Sequence, residues 1–172
     1  RNHSSLHPGP RNLAKLAIEV VLMRFVGQET FSQPQGEIWD KVSDLQFMAQ
    51  LIPDLDRIEQ VDSDQLLCRV KPKFAFLAGS LQLRFTVLER DPPNHLKMSI
   101  VGKKIGAGLT LEVTISLAMD PLTCLTWEGE VQQRTGLLKP IGNSLIQGAA
   151  ENIITTLWAS FRQALSDENQ PS

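Results

Sequence analysis

Apolar and polar residues alternate strictly along much of the second half of the chain. In "LTLEVTISL", residues 109–117, every second residue is apolar and the residues between are threonine, glutamate or serine. The segments "SLQLRFTVLERD", "HLKMSI" and "LTWEGEVQ" show the same period, and turn signals separate them in "DPPN", "GKKIGAG" and "MDPLT". Strict alternation is typical of antiparallel strands with one buried and one solvated face. This half therefore predicts an antiparallel sheet.

Helical patterns lie on either side of this strand-rich region. "RFVGQETFS" predicts a first strand, and Pro34 then suits the first turn of a helix over "QGEIWDKVSD". A second short helix, "LQFMAQLI", ends at Pro53. A long apolar segment closes the chain. The order predicts an α+β helix-grip fold, in which a curved antiparallel sheet of about seven strands wraps around one long C-terminal helix.

The long helix is predicted to begin at residue 136 and contains two glycines, Gly142 and Gly148. On a helical wheel, Leu138, Ile141, Leu145, Ile146 and Ile153 share one face, with Gly142, Ala149 and Thr156 near its centre. A sheet-facing stripe with small residues has two interpretations. Either the backbones approach closely, or room is left for a guest molecule.

A second apolar stripe, Ile154, Trp158, Phe161 and Leu165, falls on the opposite face of the predicted helix. This stripe is interpreted either as a surface covered by residues 13–22 or as an exposed patch for a partner or a bilayer. The cover is the favoured interpretation, since "LAKLAIEVVL" has an apolar side.

The pattern divides the chain into three parts. Residues 1–22 form an extension, with a flexible lead and a short apolar segment; residues 23–166 form the ligand-binding domain; residues 167–172 form a polar tail. Cys68 and Cys124 have no CxxC or zinc spacing, and no export signal or membrane span is found, so we expect reduced thiols and a cytoplasmic protein.

Charge and motifs exclude several functions. The formal net charge of −2 argues against a nucleic-acid-binding protein, which would carry a basic stripe. His95 shares the solvent phase with Lys97, and Glu128 and Glu130 also lie on the polar phase, so no catalytic constellation is predicted. Glu29 is interpreted as an edge residue that reaches water. No metal site and no cofactor are expected. "GKKIGAG" is interpreted as a hairpin whose Lys103 and Lys104 contact anionic surfaces weakly.

Three ordered blocks resemble the CoxG family of carbon monoxide dehydrogenase subunits, within the START/SRPBCC-like (polyketide-cyclase-like) helix-grip superfamily. They are "GQETFSQPQGEIWDKVSDLQFMAQLIPDL", "FLAGSLQLRFTVLERDPP" and "TWEGEVQQRTGLLKPIGNSLIQ". The resemblance implies a cavity between sheet and helix that binds a hydrophobic or lipid-like molecule. It also implies a role beside a molybdenum-dependent carbon monoxide dehydrogenase, in maturation, membrane recruitment or quinone handling, with peripheral contact at the inner membrane face.

The hypothesis from the sequence is thus a noncatalytic binding protein. Two alternatives stay open: a polyketide cyclase/dehydratase-type enzyme, and an interaction module with a filled core. The predicted ligand-binding residues are Phe76, Leu83, Phe85, Met98, Leu111, Val113, Trp127, Gly142, Leu145, Ala149 and Ile153.

Overall fold

The computed structural model describes residues 23–168 of the chain. It contains the expected α+β architecture: seven strands, two short helices after the first strand, and a long C-terminal helix. The strands are β1 (Met23–Phe31), β2 (Leu55–Val61), β3 (Gln65–Val70), β4 (Leu81–Asp91), β5 (His95–Lys104), β6 (Ala107–Met119) and β7 (Thr123–Gly136). The helices are α1 (Gln35–Val42), α2 (Leu45–Ala49) and α3 (Asn143–Glu168). The helix-grip prediction is confirmed.

The sheet is antiparallel throughout, in the order β1-β7-β6-β5-β4-β3-β2. Strands β2 to β7 form a meander, and β1 closes onto β7, the last strand. The alternation along the sequence sets the faces, since Leu96, Met98, Ile115, Leu117 and Leu125 are all buried beneath the helices. The polar phase forms the outer face.

The residues at the start of each short helix favour a helix N-terminus there. Pro34 precedes α1 in an extended conformation, and Glu37 lies in the first turn, where a negative charge favours the positive end of the helix dipole. The side chain of Asp44 accepts hydrogen bonds from the backbone N–H groups of Gln46 and Phe47 at 3.0 and 3.2 Å and so caps α2.

The long helix begins at Asn143, later than the sequence predicts. Residues 137–142 form turns, and the carbonyl of Gly142 accepts the first helical hydrogen bond, from Ile146 N–H at 3.3 Å. Pro140 explains the difference, because proline disfavours helical geometry in the residue before it and lacks an N–H. Gly142 therefore precedes the helix, and only Gly148 lies inside it.

The predicted rotation of the long helix is also wrong. Trp158, Phe161 and Leu165 are buried in the main core, whereas Leu145 and Ile153 are 58% and 40% exposed. Leu138 and Ile141 precede the helix, so a wheel that includes them shifts the apparent apolar face. The second apolar stripe, for which the sequence predicts a cover, packs on the sheet and on α1 and α2.

Aromatic contacts hold the C-terminal half of α3 in place. Phe161 lies edge-on to Phe31, Phe47 and Trp158, with ring centroids 5.4, 6.0 and 5.4 Å apart. Arg162 stacks over Phe31 at 4.4 Å and bonds to Glu29 at 2.9 Å. Residues 1–22 and 169–172 lie outside the described residues, and residues 167–168 of the predicted 167–172 tail belong to α3, so the division of the chain stays a prediction. The sheet, α1 and α2 bury the stripe for which the sequence predicts a cover by residues 13–22.

Candidate functional site

The long helix is held against the sheet at two places along its length. Near its start, Ile146 packs with Met23 and Val131 in a small cluster. Near its end, Trp158, Phe161 and Leu165 belong to the main core. Between these contacts the apolar side chains of helix and sheet are only half-buried. We call this region the central gap: Phe85, Ile100, Val113, Trp127 and Gly129 on the sheet, and Ala150, Ile154 and Leu157 on α3.

Gly129 lies on β7, on the side of the gap nearest β1. It occupies the buried phase of β7, opposite Phe25 on β1 and Val113 on β6. A Cβ placed on Gly129 would meet no heavy atom within 4 Å beyond its chain neighbours. Interior side chains normally fill such space to the density of an organic crystal. A buried residue that faces open space therefore marks a void over the sheet.

Small residues also line the helix side of the gap. Ala150 comes one turn after Ile146, on the face that continues through Ile154 and Leu157, and it is half-buried. A large side chain here would reach toward the sheet. The sequence predicts that small residues on the helix leave room for a guest molecule, and the small residue that faces the gap is Ala150. Gly142 is exposed and does not line the gap.

Trp127 closes the gap toward β1. Its ring lies over Gly27, the residue paired with it across the strands, so closely that a Cβ on Gly27 would overlap the indole. Because glycine has no side chain, the ring can lie flat on the strand. The indole N–H is buried without a hydrogen-bond partner within residues 23–168, so packing alone holds the ring there.

The structure brings part of the predicted site together. Phe85, Val113 and Trp127 line the gap, while Met98 is buried beside it in the main core. Leu83 and Leu111 are half-buried on the same face, in neighbouring clusters. Phe76 lies apart in the β3–β4 loop, where it stacks on Phe74 at 5.8 Å.

The predicted residues of the helix fare differently. Ala149 is half-buried, while Gly142, Leu145 and Ile153 are exposed. Sequence reasoning missed Gly129, Ala150, Ile154 and Leu157. Gly129 carried a readable signal, because in "WEGEV" a glycine replaces the large residue that the buried phase of a strand usually holds.

Charged side chains pair away from the gap. On the outer face Lys97 bonds to Glu112 at 2.7 Å, and this bond raises the pKa of Lys97. His95 lies 3.1 Å from Glu89, and Arg24 pairs with Glu128 at 2.5 Å. Among residues 23–168, no three His, Cys, Asp or Glu side chains are grouped to hold a metal ion. The charged groups thus serve as surface pairs in the sheet.

The outer face also has two shallow depressions, of about 400 and 110 Å³. The larger one is lined mainly by residues of the solvated phase, among them Val26, Gln28, Thr114 and Glu128, and it reaches the edge of Gly27 and Trp127. It lies on the side of the sheet away from α3. It is open to solvent, whereas a small-molecule site usually encloses most of its ligand.

None of the helices described between residues 23 and 168 has the length and hydrophobicity needed to cross a bilayer. No functionally curated protein is significantly similar to the chain in sequence.

Solved structures share the fold at low identity. A conserved protein from Geobacillus kaustophilus has a TM-score of 0.75 at 19% identity, over 84% of this chain and 96% of that one. A START superfamily protein from Mycobacterium smegmatis has a TM-score of 0.62 at 13% identity, over 85% and 99%. The protein Ara h 8.0201 has a TM-score of 0.60 at 13% identity, over 84% and 99%.

The decisive comparison is with a protein family. The sequence profile of CoxG, a subunit of carbon monoxide dehydrogenase, matches residues 27–166, which include every strand except the start of β1 and nearly all of α3. The chain therefore belongs to the CoxG family of carbon monoxide dehydrogenase subunits.

Proposed function

We propose that this protein binds a hydrophobic or lipid-like small molecule, without catalysing a reaction on it, in the central gap between α3 and the sheet. The observation that supports this most directly is Gly129, a buried glycine on the apolar face with open space above it. The half-buried Val113 and Trp127 beside it, and Phe85 farther along the same face, would lose their remaining water contact to an apolar guest. The family and the helix-grip fold agree with such a role.

The walls of the gap favour binding over catalysis. Its named side chains are apolar or aromatic, and an acid–base mechanism needs a positioned titratable group within reach of the substrate. Glu29, which shares the strand phase of Phe25 and Phe31, is paired with Arg162 at 2.9 Å and helps to hold α3. A cyclase or dehydratase chemistry finds no support in this arrangement.

The finer part of the proposal concerns the partner. Membership of the CoxG family supports an accessory role for a molybdenum-dependent carbon monoxide dehydrogenase, in maturation, membrane recruitment or quinone handling. A quinone fits the gap in chemical class, since it combines a flat ring with an apolar tail. Co-purification of the tagged protein with a molybdenum hydroxylase from its own host would test the partner.

The binding site itself is tested by filling the gap. Gly129→Leu places a side chain in the open space and should lower the affinity for the neutral fluorescent probe N-phenyl-1-naphthylamine by at least about tenfold, because the guest and the leucine compete for one volume. Gly129→Ala fills less of the space and should retain most of the binding.

Gly142→Leu is the matched control, since Gly142 is exposed and a Cβ there also meets no heavy atom within 4 Å. Its affinity for the probe should equal that of the unmodified protein. Equal probe affinity in the Gly129→Leu and Gly142→Leu variants, with both folded by circular dichroism, would contradict binding in the central gap.

A further inference from the structure

Three loops meet at the end of the molecule where α3 begins. They are residues 71–80 between β3 and β4, the tip of the β5–β6 hairpin at 103–107, and residues 134–142, which comprise the end of β7 and the turn before α3. Lys104 Nζ donates to the carbonyl of Ala78 at 2.5 Å, and Leu137 N–H donates to the carbonyl of Gly106 at 2.7 Å. The loops therefore form one continuous surface, which we call the basic end.

The three segments of the basic end carry positive charge, and the carboxylates at this end, Asp54 and Asp56, lie at the start of β2. Its three segments contain Lys71, Lys73, Lys103, Lys104, Arg134 and Lys139, and no Asp or Glu. Lys71 and Lys73 lie 3.7 and 3.8 Å from Asp56 and Asp54. The other four cations have no carboxylate within 4 Å in the part of the chain that the structure describes.

The opposite end of the molecule is acidic. Its turns and the end of α3 carry six exposed acids, Asp62, Asp64, Asp91, Asp120, Asp167 and Glu168. The cations there are engaged, with Lys41 bonded to Glu168 at 2.5 Å and Arg90 to Asp64 at 2.9 Å. Within residues 23–168, an excess of positive charge at one end thus faces an excess of negative charge at the other.

Large apolar side chains project from the basic end into solvent. Ile105, at the tip of the β5–β6 hairpin, is 98% exposed, and Leu137 beside it is 65% exposed. Hairpin tips usually carry Gly, Asn or Asp, because these residues suit the turn and interact with water. Gly106 supplies the positive φ of this turn, at 82°, so Ile105 is not required by the backbone.

From these observations we propose that the basic end is a membrane-docking surface for an anionic lipid bilayer. Ile105 and Leu137 would enter the interface between headgroups and acyl chains, and Lys103, Lys104 and Lys139 would contact the lipid phosphates. The acidic end would then point away from the bilayer, which sets the orientation of the bound molecule. This surface deepens the membrane-recruitment part of the proposed function and does not depend on a guest in the central gap.

The test is co-sedimentation of the full chain with vesicles of phosphatidylcholine alone and of phosphatidylcholine mixed with phosphatidylglycerol. We expect binding to the anionic vesicles that falls with rising salt, since exposed charges are screened. Ile105→Ser combined with Leu137→Ser should weaken this binding at least about tenfold, because burial of large apolar side chains is lost. Lys103→Gln combined with Lys139→Gln should weaken it about fivefold per lysine.

Two control variants test whether the effect is specific to the basic end or follows from any loss of exposed apolar side chains or of positive charge. Met119→Ser combined with Leu122→Ser removes apolar side chains that are 54% and 50% exposed at the acidic end and should leave binding unchanged. Arg24→Gln combined with Arg90→Gln changes the net charge by the same amount as the lysine pair and should have the smaller effect.

Absence of binding to anionic vesicles would overturn the proposal and leave an acidic protein as the partner of this surface. Equal losses in the basic-end and control variants, or no loss in the Ile105 and Leu137 variant, would overturn it too. Binding of N-phenyl-1-naphthylamine is measured on the same variants and should not change. Failure of the docking surface is thereby distinguished from failure of the central gap.

Discussion

Gly27 and Trp127 form the tightest contact of the candidate site. The indole of Trp127 covers the backbone of Gly27 where a Cβ would overlap Cζ2. Gly27→Ala should therefore displace the ring and lower the free energy of unfolding by about 1–3 kcal/mol, the usual cost of overpacking. Chemical denaturation followed by tryptophan emission measures both effects.

Gly129→Ala is the matched control for that substitution. Gly129 lies on the same strand and the same face as Trp127, but the space above it is open. Its stability should stay close to that of the unmodified protein. A similar loss in both variants would show that the effect comes from glycine in a strand and not from the contact with the ring.

The buried thiol of Cys68 makes the stability of the protein depend on pH. It is fully buried, and burial, with a smaller contribution from the nearby Glu59 charge, raises the pKa of its thiol from 9.0 to about 11. Between these values the unfolded chain releases the thiol proton and the folded chain keeps it. The stability that the protonated Cys68 thiol contributes to the folded state is therefore fully present below pH 9.0. As the pH rises to about 11, this contribution is lost, and the free energy of unfolding falls by roughly 2–3 kcal/mol.

The measurement is the unfolding free energy of the wild type and Cys68→Ala across that pH range. Lysine titration affects both proteins alike, so the difference between the two curves reports Cys68. A difference that does not change with pH would mean that the thiol ionises in the folded state as it does in water. Native Cys68 should also resist thiol reagents until the protein unfolds.

At the scale of elements, α3 decides how the sheet is covered. Leu145 and Leu165 provide a matched pair, since both are leucines in one helix but are 58% and 2% exposed. Leu165→Ala should cost about 2–5 kcal/mol of stability because it leaves a cavity in the main core. Leu145→Ala should change stability by no more than about 0.5 kcal/mol. Urea denaturation of the two variants measures both losses. A larger loss in Leu145→Ala than in Leu165→Ala would contradict the helix rotation described above and support the one that the helical wheel predicted.

The strand elements were predictable because alternation is a local property. Each of the stretches with period two became one strand, and their Gly, Pro and Asp turns became the connections. The start of α3 was less predictable, since residues 136–142 are apolar enough to continue the pattern. Pro140 does indicate a later helix start, because proline disfavours helical geometry in the residue before it, whatever the apolar character of the segment.

At the scale of the molecule, a guest in the central gap should stabilise the whole fold. A ligand that binds only the folded chain adds stability as RT ln(1 + [L]/Kd). N-phenyl-1-naphthylamine should therefore raise the melting temperature of the wild type in a concentration-dependent way and leave that of Gly129→Leu unchanged. Differential scanning calorimetry measures this, and a parallel increase in both proteins would indicate binding elsewhere.

The candidate site was predicted in part. Phe85, Val113 and Trp127 were found because the buried phase of a strand can be identified from alternation alone. Gly142, Leu145 and Ile153 were placed on the wrong side because a wheel depends on where the helix begins. The gap at Gly129 could not be located, since empty space depends on side chains from three strands and a distant helix.

The sequence by itself determined the fold class, the faces of the strands, the two short helices and the family. These follow from short-range periods, turn residues and ordered motifs, which survive without knowledge of the packing. Only the tertiary structure decided which face of α3 meets the sheet, where the interior is left open, and that six basic residues from three distant segments share one end. Those features depend on contacts between residues that are far apart in the chain, and a local sequence pattern does not specify such contacts.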